Sequence, residues 1–257
     1  QVYDACGIVL AEHKREMVSS RLARRLRLLK LKSFKDYLAF LEERKEREFS
    51  EFINAITTNL TSFFREPHHV NYLKNTIVPR LLTTNAQQKR VRVWSAGCST
   101  GEETYTIAMT LSGLFPTNWD VKILATDLES NVLAKAQAGT YTAANVNGLD
   151  KSQLKRWFLK SHDGQLYKVK QQLQGNSFFK RLNLLEQWPI KGAFDVSFCR
   201  NVVIYCDKPT KDTLFHRYFD LLNDAGHLFL GHSETMGKDH QEFKNLGQTI
   251  YQKVVNE

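Results

Sequence analysis

The chain of 257 residues contains few of the residue patterns that mark a special chemistry on sight. Its four cysteines, Cys6, Cys98, Cys199 and Cys206, stand in no CxxC or Cys/His ligand spacing. That argues against a disulfide framework or a cysteine-based structural zinc site and leads to the expectation of a reduced, cytoplasmic protein. No apolar run approaches the roughly 20 residues needed to span a bilayer, so membrane insertion is not expected. The opening QVYDACGIVLAEHKREM lacks the ordered basic, apolar and small-residue segments of a secretory signal. Proline (5) and glycine (13) are scarce, and neither occurs from Ile8 to Glu66. There are no internal repeats or low-complexity tracts. The eight histidines are scattered, and no Cys/His or Ser/His/Asp constellation suggests a nucleophilic centre; the adjacent His68 and His69 read as surface residues.

Positive charge is what the chain has in excess: 36 Lys and Arg against 27 Asp and Glu, a formal +9. The excess is local. Residues 14–35 hold Lys14, Arg15, Arg21, Arg24, Arg25, Arg27, Lys30, Lys32 and Lys35 against Glu16 alone, so this stretch carries about +8 and the rest is nearly neutral. A uniformly basic, nucleic-acid-coating protein is therefore disfavoured.

Two textures divide the chain. Over residues 8–56, Val18, Leu22, Leu26 and Leu29 recur at helical spacing within one arc of roughly 80°, with Arg21, Arg24, Arg25 and Arg27 flanking or opposing it. A second helix is expected from about Phe34 and a third over Glu48–Leu60. From Val91 onward short β-branched runs alternate with helical segments: VRVWSAG, KILATDL, FDVSFCRNV and GHLFLGH as strands, TIYQKVV as a last strand. That alternation predicts a parallel α/β sheet with helices on both faces. Residues 162–182, with a DG turn and a period-2 run, read as a small β insertion rather than a sheet strand with its crossover helix.

In SAGCSTGEE, Gly97 and Gly101 frame the first strand-to-helix loop, at the crevice where open parallel sheets bind ligands. The loop is neither GxGxxG nor GxxxxGK[ST], and Glu102 and Glu103 would repel a phosphate. A purely structural turn remains open. Asp127 ends the second strand, where a carboxylate can accept from both hydroxyls of a ribose, or else start the following helix. A glycine loop without phosphate signature, acids that suit a cation and a ribose-binding acid together point to S-adenosylmethionine.

With these residues in hand, the sequence resembles the CheR family of chemotaxis receptor methyltransferases. TNLTSFFRE (58–66), AGCSTGEETYTIAM (96–109), ATDL (125–128), NLLEQWP (183–189), FDVSFCRNVVIY (194–205) and GHLFLGHSE (226–234) carry the resemblance in order over nearly the whole chain. It implies an α/β S-adenosylmethionine-dependent methyltransferase with a Rossmann-like sheet. An N-terminal all-helical domain (1–57), a linker (58–66) and a methyltransferase domain (67–257) with an inserted antiparallel β-subdomain are expected. It further implies methyl transfer to side-chain carboxylates of receptor glutamates.

Matching motif positions place cofactor contacts at Asn59, Thr61, Arg65, Glu103, Asp127, Asn183, Leu184, Arg200 and Asn201. Arg65 and Tyr205 are expected to orient the substrate carboxylate. The chain departs from the family at Thr104, where relatives often carry proline. No metal is expected for the reaction. The basic helix, through Arg21, Arg24, Arg25 and Arg27, is expected to dock on the acidic helical hairpin of a receptor cytoplasmic domain. In some relatives the β-subdomain adds a receptor C-terminal peptide as a strand; HDGQLYKVKQQ leaves that open here. A monomer is expected. The competing readings are a nucleic-acid methyltransferase tracking phosphates with the basic helix, disfavoured by the near-neutral remainder, and an inactive receptor-binding adaptor.

Overall fold

The computed structural model describes residues 15–44, 48, 51–52, 55 and 61–254. Helix α1 (Arg15–Leu29) ends as Lys30 turns to φ 57°, with Leu31 N–H donating to the Leu26 carbonyl at 3.0 Å, and α2 (Phe34–Glu43) starts on the Ser33 hydroxyl, which accepts from Asp36 N–H at 3.1 Å. Val18 and Leu26 from the apolar arc are buried with Tyr37, Leu41 and Phe52, and Leu22 and Leu29 pack against them. Most of the third helix expected over Glu48–Leu60 lies outside the described residues; Glu48, Glu51, Phe52 and Ala55 within it are helical.

Arg25 has a different role from the one expected for it. Its Nε and Nη2 donate to the two Glu48 carboxylate oxygens, each at 2.8 Å, and Nη1 lies 3.3 Å from Glu51. Glu48 is 5% exposed and also accepts from the Tyr37 hydroxyl at 2.9 Å. A bidentate pair of this kind ties one helix to the next, so Arg25 is committed to the interior of the helical domain. Among the expected docking cations, Arg24 and Arg27 are the exposed ones, and Arg21 is half-buried.

The second unit begins with α3 (Pro67–Tyr72), a π-helical turn (Leu73–Ile77) and α4 (Val78–Thr84). Then follow β1 (Arg90–Ala96), α5 (Glu102–Leu111), β2 (Asp120–Asp127), α6 (Ser130–Ala138), β3 (Thr140–Thr142) and α7 (Lys151–Trp157). The chain continues through β4 (Phe158–Lys160), β5 (Leu166–Val169), α8 (Gln171–Gln174), β6 (Ser177–Arg181), β7 (Phe194–Cys199), α9 (Lys208–Leu221), β8 (Leu222–Leu230), β9 (Phe243–Asn245) and β10 (Ile250–Lys253). The main sheet has the order β6-β2-β1-β7-β8-β10-β9. Its first five strands are parallel, and β10 runs antiparallel to both β8 and β9. Successive β1 residues feed opposite faces: Val91 and Val93 enter one core with Ile107 and Ile123, Trp94 and Ala96 the other with Phe215 and Tyr218.

The β insertion differs from the expectation of 162–182. The small antiparallel sheet, β3-β5-β4, draws on residues 140–169, while Ser177–Arg181 pairs with β2 as an edge strand of the main sheet. The sequence misleads here because a four-residue helix, α8, stands where a full crossover helix is expected, so the return to the main sheet looks like more of the hairpin. His69, read as a surface residue, is fully buried: its Nε2 lies 2.8 Å from the Gln248 carbonyl and its ring packs edge-on against Phe229.

His227 on β8 is 3% exposed, and burial, helped by Arg80, lowers its pKa to about 4. A histidine whose folded pKa is depressed adds stability that is complete above its free value of about 6.5 and is lost as pH falls through the folded value. Urea unfolding of the His227→Gln variant should therefore show a shallower loss of stability between pH 6.5 and 4 than the parent. Parallel pH profiles would contradict the assignment.

Candidate functional site

The carboxyl ends of β6, β2, β1 and β7 open on one cavity of about 360 Å³. Its walls include Thr61 and Arg65 before α3, Gly97 and Ser99 after β1, Glu103 on α5, and Asp127 at the end of β2. Asn183 and Leu184 after β6, and Arg200, Asn201 and Tyr205 after β7, complete it. Every expected cofactor or catalytic position among the described residues is thus brought to one cavity; Asn59 lies outside them. This is the location that an open parallel sheet offers, where strand order reverses and loops diverge.

The two glycines are required by close packing. Gly97 has φ 84°, and a Cβ there would stand 2.4 Å from Val202 Cγ2. Gly101 has φ 95° and would press Ala136 Cβ at 2.9 Å. The backbone of the first loop is held against the β7 loop and α6, which makes a thin wall beside the cavity. Asp127 organises both loops: Oδ2 accepts from Ser99 N–H at 2.8 Å, and Oδ1 from Glu129 N–H at 3.0 Å. Glu129, not Asp127, is the N-cap of α6. Burial pushes the Asp127 carboxyl up, and those backbone donors work against the rise. Each oxygen keeps a lone pair, enough for the two hydroxyls of a ribose.

Arg200 is 8% exposed and holds three elements together. Its Nη2 donates to the Arg65 carbonyl at 2.6 Å, Nε lies 3.3 Å from Glu66 and Nη1 3.5 Å from Glu103. Ser95 Oγ donates to the other Glu103 oxygen at 2.6 Å. Burial raises the Glu103 pKa while Arg200 opposes the rise. Glu66 is also desolvated, yet Arg200 and hydrogen bonds from His232 hold it below the usual carboxylate range. Asn201, at φ 59°, donates its N–H to Glu234 Oε2 at 2.8 Å; Gly231 N–H donates to that oxygen at 2.6 Å, and Ile204 N–H to Oε1 at 3.1 Å. After β6, Asn183 Oδ1 accepts from Leu185 N–H at 3.1 Å, and the Leu184 carbonyl accepts from Trp188 Nε1 at 3.0 Å.

Phe63 and Phe64 anchor the segment before α3. Phe63 is buried edge-on against Tyr141 at 5.0 Å and Phe158 at 5.6 Å, both on the small sheet. Phe64 N–H donates to Thr106 Oγ1 on α5 at 3.1 Å. Sequence reasoning missed Glu66, His232 and Glu234 as residues that shape the cavity walls. The signal was present in TNLTSFFRE and GHLFLGHSE, whose terminal acids fold back on the cavity walls.

The donor set suits S-adenosylmethionine. The lining sets the acids Glu103 and Asp127 against Arg65 and Arg200, and Arg200 is already met by Glu66 and Glu103, a balance that suits an uncharged nucleoside and a sulfonium better than a pyrophosphate. Sheet order, glycine turn and strand-end acid define an S-adenosylmethionine-dependent methyltransferase. Comparison with known proteins narrows the class. Residues 59–252 match the family model described as the CheR methyltransferase S-adenosylmethionine-binding domain, and residues 1–57 match the CheR methyltransferase all-alpha domain. The chain belongs to the CheR methyltransferase family. It is 44% identical to the chemotaxis protein methyltransferase of Salmonella typhimurium over 97% of this chain and 86% of that one. Identity to the Escherichia coli protein of the same description is also 44%, over 97% and 87%. A probable chemotaxis protein methyltransferase of Rhizobium etli is 39% identical over 97% and 96%.

The contact between Gly97 and Val202 yields a direct test. Gly97→Ala should lower stability by about 2 kcal/mol from clash and positive φ together, and should weaken S-adenosylhomocysteine binding measured by calorimetry. Adding Val202→Ala should restore part of the stability, since it removes the clash and leaves the φ strain. Strict additivity of the two substitutions in thermal unfolding would contradict the account.

Proposed function

We propose that this methyltransferase transfers methyl from S-adenosylmethionine to side-chain carboxylates of specific glutamates on chemoreceptor cytoplasmic domains, forming methyl esters for chemotactic adaptation. What carries the reading is the similarity over nearly the full chain to chemotaxis protein methyltransferases, together with a cavity lined by Arg65 and Tyr205 alongside the cofactor positions. Among the described residues no helix is long and apolar enough to cross a membrane. A substrate on receptor cytoplasmic domains calls for a cytoplasmic enzyme, and we take the chain to act as a monomer. A nucleic-acid methyltransferase and an inactive adaptor are not favoured, the first because the charge outside residues 14–35 nearly cancels.

When bound, S-adenosylmethionine supplies a methyl group activated by the sulfonium for in-line displacement. A glutamate with an ordinary pKa near 4.3 is ionised at neutral pH, so no side chain has to act as general base. The work left to the protein is alignment and removal of water. Asp127 would hold the ribose hydroxyls, and Thr61, Glu103, Asn183, Leu184, Arg200 and Asn201 would line the rest of the adenine and methionine pocket. Tyr205 donates a single hydrogen bond to the substrate carboxylate, which orients it without neutralising it. Arg65 attracts the carboxylate more weakly than a bidentate pair would, which keeps its nucleophilicity.

Two surfaces supply the partner. The exposed Arg24 and Arg27 on α1, flanked by Lys30, Lys32 and Lys35, suit the acidic helical hairpin of a receptor, and exposed Leu28 and Leu38 offer apolar contact beside them. The small sheet has β3 and β4 as its edges, and exposed Leu159 on β4 favours addition of a receptor C-terminal peptide as a further strand. Such a tether would raise the local concentration of enzyme without entering the chemistry.

Tyr205→Phe should lower single-turnover methylation of a receptor fragment by ten-fold or more with S-adenosylhomocysteine affinity unchanged; an unaltered single-turnover rate would remove Tyr205 from this role. The Arg24→Glu/Arg27→Glu double variant should raise the receptor KM several-fold and flatten its dependence on salt, leaving cofactor affinity intact. Equal receptor kinetics in that variant and the parent would sink the docking surface. Labelled-methyl transfer to DNA or RNA in place of receptor would overturn the substrate class.

A further inference from the structure

Outside the lining of the cavity, four titratable side chains converge that the methyl-transfer reaction does not use. Asp212 and His216 stand one turn apart on α9, and the segment between β8 and β9 brings His240 and Glu242 against them. His240 Nδ1 lies 2.9 Å from Glu242 Oε1, and His216 Nδ1 lies 3.3 Å from the same oxygen. His240 Nε2 lies 3.1 Å from Asp212 Oδ1. The His240 side chain is 3% exposed, whereas that of His216 is 66% exposed.

We propose that His216, His240 and Glu242 form a zinc site, with Asp212 orienting His240. One ligand atom from each of the three lies within 4.8 Å of the others. Tetrahedral zinc with nitrogen and oxygen ligands at about 2.0–2.2 Å sets ligand atoms about 3.3–3.6 Å apart. The 2.9 and 3.3 Å separations therefore need shifts of only a few tenths of an ångström, which the exposed His216 side chain can make. Two imidazoles and a carboxylate are a ligand set that zinc favours, with water or a partner's side chain in the fourth position. The Asp212 contact supplies what an isolated His cluster lacks. An imidazole that binds metal through one nitrogen typically gives its other N–H to a carboxylate, and Asp212 fixes His240 in the tautomer that leaves Nδ1 free to bind.

The site would clamp α9 to the segment from Gly231 to Glu242. Near the start of that segment, His232 and Ser233 line the cofactor cavity and Glu234 gathers the N–H groups of Gly231, Asn201 and Ile204. Zinc would secure the far end of the strap whose near end shapes the cavity. A second cluster, Glu66, His68 and His69, also offers three ligand atoms within 4.8 Å. There Arg200 already lies 3.3 Å from Glu66 and repels a further cation.

Titration of the metal-stripped protein with zinc sulfate, followed by calorimetry, should give one zinc per chain with micromolar or tighter affinity. The melting temperature should rise with zinc and fall back with EDTA. His216→Ala, at an exposed position, should lower affinity at least ten-fold, and Asp212→Asn about ten-fold, with circular dichroism unchanged. Zinc binding that survives His216→Ala and disappears in His68→Ala would overturn the assignment, as would the absence of binding at 100 μM zinc, on the order of ten-fold above the expected range.

Discussion

The guanidinium of Arg200 is the interaction on which the rest of the site depends. A buried charge is tolerated when opposite charge stands beside it, and Arg200 donates to the Arg65 carbonyl while the Glu66 and Glu103 carboxylates lie 3.3 and 3.5 Å away as ion pairs. These three groups come from the segment before α3 and from α5, while Arg200 itself follows β7. One side chain thereby fixes the wall between linker and sheet. Removing it would leave the desolvated Glu66 and Glu103 without their shared cation, a loss larger than that of an ordinary hydrogen bond. Arg200 thus has a structural reason to be present beside the cofactor contact proposed for it.

Around that tie, carboxylates organise backbone rather than pair with cations. Asp127 accepts N–H groups from the loops after β1 and β2, and Glu234 accepts three N–H groups from the loops after β7 and β8. Their acceptors stand where loop donors would otherwise be stranded, so each acid converts a flexible turn into a defined wall. The glycines serve the same end. A Cβ at Gly231 would reach within 2.4 Å of the Asn201 amide and one at Gly97 within 2.4 Å of Val202, so both turns press directly on the β7 loop. The cavity is pre-shaped by packing, which suits a reaction whose catalysis is mostly alignment.

The excess positive charge divides by the same logic. Arg25 is absorbed by Glu48 and Glu51 inside the helical domain, while Arg24 and Arg27 stay in solvent. A run of basic residues on one helix thus contains both an internal tie and an external surface, and only the contacts of each side chain separate them. Without such a division the helix would have little to hold it, because its apolar arc is narrow and a strip of like charges is self-repelling.

Most of the strand and helix order, and the gathering of the expected cofactor positions at the strand ends, were legible in the sequence. Short β-branched runs ending near Gly97, Asp127 and Arg200 placed these residues at strand ends, and the parallel alternation placed strand ends at a crevice. Local pattern fails where partners are distant. The strand Ser177–Arg181 follows a helix too short to announce a crossover, so its pairing with β2 could not be read locally. His69 shares its surroundings in sequence with the partly exposed His68, yet Gln248 and Phe229, about 160 to 180 residues onward, bury it. Asp212, His216, His240 and Glu242 are spread over two elements with no ligand spacing to betray them. The sequence by itself determined the alternation of elements, the class of cofactor and the locality of the charge, because these are properties of neighbours along the chain. Tertiary structure alone decided which acids would be buried, which arginine would be spent inside, and where the small sheet begins, because desolvation and pairing belong to neighbours in space.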